Sequence, residues 1–140
     1  MKTILSITAA IAILAPCAAQ AGACDTFKNA TYGGVMRGPF GSEHPDAFSA
    51  ARVTFDAQGV GQGRGLLGYE PADTAAVQAA YTGVTCIPNA DGKSGLLNFG
   101  GSLGNNTFTV FDGGARVWTE HAIPGRPLAG WLFRLPPRPR

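Results

Sequence analysis

From residue 31 onward, apolar and polar residues alternate with the two-residue period of strands that bury one face. Eight segments carry it: 31–38, 48–55, 60–69, 78–85, 94–99, 107–111, 115–121 and 128–135. Turn-forming clusters separate them: Gly38-Pro39, Asp56-Ala57-Gln58-Gly59, Asn89-Ala90-Asp91-Gly92, Gly104-Asn105-Asn106, Asp112-Gly113-Gly114 and Pro124-Gly125. Residues 73–77 are open: Asp73-Thr74 suits a helix cap and the alanines after it favour helix, whereas the flanking segments read as strand. Consecutive antiparallel pairing is the simplest topology for such a series. Eight strands paired this way predict an all-β fold, an up-and-down barrel whose closure removes exposed edges; a two-sheet sandwich is the alternative.

The first 21 residues follow another rule. Lys2 precedes an apolar run from Ile4 to Leu14, and Ala19-Gln20-Ala21 is a small-x-small cleavage box. This is the pattern of a secretory signal peptide, too short in its apolar run to span a bilayer. Cleavage after Ala21 of the 140-residue chain leaves 119 residues, enough for one domain over 22–135, with a Pro/Arg tail at 136–140 expected to be disordered. The formal charge falls from +2 to +1, because Lys2 is the only charge in the leader. A chain this neutral has no field to steer it to nucleic acid or to an anionic surface, and the mature part contains no transmembrane segment. The expected location is periplasmic or extracellular.

Export also changes the meaning of the cysteines. Cys17 leaves with the leader, and Cys24 and Cys86 remain to pair in an oxidising compartment.

Several motifs lie in order along the mature chain. They are Cys24, Tyr32-Gly33-Gly34, Thr54-Phe55-Asp56-Ala57-Gln58-Gly59, Tyr81-Thr82-Gly83-Val84-Thr85-Cys86 and Asp112-Gly113-Gly114. In this layout the chain resembles a group of small exported bacterial proteins. The resemblance implies a lipocalin- or streptavidin-like barrel with a Cys24–Cys86 bridge, and no activity.

Candidate chemistry is sparse. Gly59, Gly61, Gly63 and Gly65 recur every second residue and leave one strand face as bare backbone, where a ring, another element or a ligand can come close. Gly63-Arg64-Gly65-Leu66-Leu67-Gly68 spells a dinucleotide fingerprint, but Pro71 interrupts the stretch where the required helix would follow. His44 and His121, the only histidines, share no metal-ligand spacing, and no nucleophile turn supports a catalytic triad. No catalytic residue, metal or cofactor is therefore assigned.

The strongest constellation is Arg116, Trp118 and Glu120, which share one face of a strand opposite Val117, Thr119 and His121. If that face pointed into the barrel, an ion pair beside an aromatic wall would cradle a small, partly apolar ligand, with Tyr32 and Tyr81 as neighbours. The expected function is binding of such a ligand or of an envelope protein. The alternatives are an interaction protein without a pocket, and a small isomerase- or cyclase-like enzyme using Glu120, His121 or Asp112.

Overall fold

The computed structural model describes residues 22–39, 46–70, 77–100, 104–122 and 127–137. The leader, His44, residues 73–76, Pro124-Gly125 and the last three residues of the tail lie outside them. Eight strands form: β1 (Thr31–Gly38), β2 (Asp46–Phe55), β3 (Gly61–Glu70), β4 (Val77–Pro88), β5 (Ser94–Asn98), β6 (Asn105–Phe111), β7 (Arg116–His121) and β8 (Ala129–Leu135). Each pairs antiparallel with its sequence neighbour, and β8 returns to β1, from Thr31 opposite Leu135 to Arg37 opposite Ala129. That last ladder makes the fold a closed up-and-down barrel and removes the sandwich alternative.

Turn chemistry sets the strand boundaries at one end. Asp56 Oδ1 accepts the backbone N–H groups of Gln58 and Val60 between β2 and β3, and Asp91 Oδ1 accepts those of Lys93 and Ser94 between β4 and β5. Asp112 and Gly113, at φ 51° and 62°, reverse the chain between β6 and β7. β4 runs three residues past its expected end, through Cys86-Ile87-Pro88, paired with Leu97, Leu96 and Gly95 of β5. Gly83, at φ 71°, lies beside the register shift that keeps Tyr81 and Val84 both facing inward.

The same end is closed by an element without strand periodicity. Ala23–Phe27 is a single 3-10 helix, and its Phe27 ring is fully buried. The ring lies 5.2 Å from Tyr32, 4.9 Å from Phe55 and 5.1 Å from Phe108, centroid to centroid. Cys24 of this helix is bonded to Cys86 of β4, with Cα atoms 5.7 Å apart. The plug is thus held by the strand it packs against.

Inside the barrel, the core is aromatic next to the plug and more mixed towards the far end. Tyr32, Val53, Phe55, Val84, Leu97, Phe108 and Val117 fill the plugged half. Met36, Ala47 and Leu128, with Leu67 against them, form a second cluster. The glycine stripe of β3 has a packing role. A Cβ on Gly61 would sit 2.8 Å from both Phe55 and Val53, and one on Gly65 would collide with the Tyr81 ring. These glycines face inward and make room for core rings, which is why the stripe alternates with the outward Gln62 and Arg64.

Candidate functional site

β7 shows which way the expected site faces. Its burial alternates, with Val117 and Thr119 buried and Arg116 and Glu120 exposed. Arg116, Trp118 and Glu120 therefore lie on the outer wall, and the interior cradle has no charged–aromatic side. Tyr32 and Tyr81 are buried in the core instead. The five expected residues divide between two surfaces separated by the sheet. Burial cost explains the direction: an outward face keeps one cation and one carboxylate in water, whereas the inward face carries Val and Thr.

On the outside, register builds a compact aromatic wall. Val35, Trp131, Trp118 and Thr109 stand side by side across β1, β8, β7 and β6; one step along, so do Gly33, Phe133, Arg116 and Phe111. Trp131 is the centre. Its ring meets Trp118 edge to face at 5.1 Å and Phe111 at 5.2 Å, while the Arg116 guanidinium lies over it at 5.2 Å. The turn fixes Arg116, whose Nε donates to Asp112 Oδ2 at 2.5 Å. The indole N–H of Trp118 donates to Glu120 Oε1 at 2.8 Å, orienting both side chains on the surface. Val35, Phe111 and Phe133 remain 49%, 41% and 48% exposed. A water-facing patch of this composition has the aromatic and arginine content of protein contact surfaces.

The interior carries a few polar groups. Tyr32 donates its hydroxyl to the carbonyl of Gly114, tying β1 to the β6–β7 turn. Ser49, Asn106 and Thr119 are buried, and Asn106 Nδ2 reaches Met36 Sδ at 3.5 Å. Burial pushes the Tyr81 phenol up, with its hydrogen bond to Ser49 pulling the other way. His121 continues the inward face of β7 and Glu120 its outward face, so the two do not combine. Among the described residues no three His, Cys, Asp or Glu side chains come together as metal ligands, and no helix is long and apolar enough to cross a membrane.

No family model, curated protein or solved structure matches the chain.

The aromatic wall was only half visible in the sequence. Arg116-x-Trp118-x-Glu120 reads as one strand face from the sequence, but nothing local places Trp131, Phe133, Phe111 and Val35 beside it. The signal for direction was present: two charged residues at alternate positions mark the solvent side of a half-buried strand.

Proposed function

We propose that the protein is an exported, non-enzymatic barrel that acts by binding a protein partner in the cell envelope through its outer β6–β7–β8–β1 wall. The observation that carries this reading is the contiguous outer cluster in which exposed Val35, Phe111 and Phe133 surround half-buried Trp118 and Trp131 beside Arg116. Large aromatic side chains and arginine dominate the energetics of protein contacts. The partner surface that fits is apolar around a carboxylate, which would share the Arg116 guanidinium with Asp112. Glu120 and Asp112 lie at the polar rim.

Export is supported by the leader pattern and by the Cys24–Cys86 bond. The Gly22 backbone nitrogen donates to Asp25 Oδ2 at 2.9 Å. Cleavage after Ala21 would turn that nitrogen into an ammonium already facing a carboxylate.

The test is photo-crosslinking in the producing cell, with p-benzoylphenylalanine at position 133 or, on the opposite wall, at 62. The expected result is a discrete adduct with another protein from 133 only, lost on Arg116→Glu in a variant that keeps its melting temperature. Equal adducts from both positions, an adduct with a second copy of the chain alone, or none from 133 would overturn the proposal.

A further inference from the structure

A second surface lies across the barrel from the aromatic wall, and its composition is opposite. Arg52 of β2 and Arg64 of β3 are directly paired in register, both exposed on the outer face. Like charges directly opposed across an antiparallel pair destabilise it. Neither guanidinium has an ion pair or hydrogen bond among the described residues, whose two salt bridges are Asp25–Lys28 and Asp112–Arg116. The fold thus places two unpartnered cations side by side.

They stand at one end of an open groove of about 760 Å3 running over β2, β3 and β4. Beside the arginines the groove is lined by Ala50, Leu66, Gln78 and Ala80, with Ala50, Leu66 and Gln78 in one cross-strand row. Ala80 continues the Arg52–Arg64 row onto β4 and Ala50 stands beside Leu66 in the next row, so two alanines let a ligand reach close to the sheet. The groove has a dicationic end and an apolar floor of Ala50, Leu66 and Ala80, with Gln78 at the edge of the Ala50–Leu66 row. An oxyanion bridging both guanidiniums would remove their repulsion and gain charge-assisted hydrogen bonds.

We infer that this groove is a binding site for a small anionic amphiphile, with a phosphate head on Arg52 and Arg64 and a short alkyl chain on Ala50, Leu66 and Ala80. The volume lies within the roughly 300–1,000 Å3 of small-molecule sites. The site shares no residue with the aromatic wall. Both tryptophans of the chain are on that wall, so tryptophan emission separates the two.

The experiment is titration calorimetry of the disulfide-bonded protein with n-octyl phosphate, inorganic phosphate and n-octyl glucoside, each below its aggregation concentration. The expected order is octyl phosphate tightest, inorganic phosphate weaker, and no heat from the neutral glucoside, with tryptophan emission unchanged throughout. Arg52→Gln and Arg64→Gln should each weaken octyl phosphate about tenfold or more, the loss of one charge-assisted contact. Each should also leave the melting temperature of the ligand-free protein unchanged or raised, because a repulsion is removed. Binding that survives both substitutions, inorganic phosphate as tight as octyl phosphate, or a shift of tryptophan emission on binding would overturn the inference. A failure here leaves the crosslinking result at position 133 untouched.

Discussion

Replacing Phe27 by alanine tests whether the 3-10 plug is part of the core or a lid resting on a finished barrel. The ring is fully buried and meets three other aromatic rings at 4.9–5.2 Å. A buried aromatic side chain covers roughly 150–250 Å2, or about 4–6 kcal/mol at 25 cal/mol/Å2, of which the remaining alanine methyl keeps a part. Measured Phe→Ala costs of about 3–5 kcal/mol agree with that range. The eight-strand ring of ladders limits how far the wall can collapse into the void, so the expected loss is about 4 kcal/mol. That is a large share of the roughly 5–15 kcal/mol available to a small domain, and it corresponds to a melting temperature lower by about 15 °C or more. The assay is urea and thermal unfolding with the Cys24–Cys86 bond intact, followed by circular dichroism. Phe133→Ala is the control. That ring is 48% exposed, and its loss should cost about 1 kcal/mol or less. A Phe27→Ala cost below about 1 kcal/mol, or equal costs at 27 and 133, would refute the placement of the plug inside the core.

Three further outcomes follow from the same structure. Reducing the Cys24–Cys86 bond, which closes a 62-residue separation, should lower stability by about 4 kcal/mol on the chain-entropy account, read from the urea midpoint with and without reductant. Gly63→Ala should destabilise by about 1–3 kcal/mol or more, because its Cβ would lie 2.0 Å from the backbone oxygen of Arg52 and a strand rather than a side chain must move; an unchanged melting temperature would contradict the β2–β3 approach. Asp25 is held below its ordinary carboxylate range by the Lys28 hydrogen bond and charge and by the Gly22 amide, and Asp91 by the Ser94 side chain and the Lys93 and Ser94 amides. Depressed folded-state values mean stability that is present above the unfolded carboxylate range and lost as pH falls through the folded one, so Asp25→Asn and Asp91→Asn should each flatten the acid limb of a stability–pH profile while lowering stability at neutral pH.

Much of the fold was legible because strands and turns leave local marks. Alternation marked β1 to β8 within a few residues, and Asp56, Asp91 and Asp112-Gly113 marked three of the turns. The plug left none. Ala23-Cys24-Asp25-Thr26-Phe27 is too short for any period, and Phe27 is ordered by rings that come from β1, β2 and β6. The inward direction of the β3 glycines depends on Phe55 and Tyr81, residues of neighbouring strands. The site divided the same way. Periodicity grouped Arg116, Trp118 and Glu120 on one face, yet only the pairing of β7 with β8 and β6 set that face beside Trp131 and Phe111. The Arg52–Arg64 pair leaves no local mark, because each residue alone is an ordinary surface arginine; register makes them neighbours.

The aromatic wall lies on the outside of the barrel, while the barrel end near Phe27 is filled. Acrylamide quenching of tryptophan emission tests this directly, because Trp118 and Trp131 are the chain's only two. The predicted result is a folded, disulfide-bonded protein whose emission acrylamide quenches without unfolding, with Phe27→Ala leaving the quenching constant unchanged. Blue-shifted emission that acrylamide reaches only after urea unfolding would put both indoles inside and contradict the account.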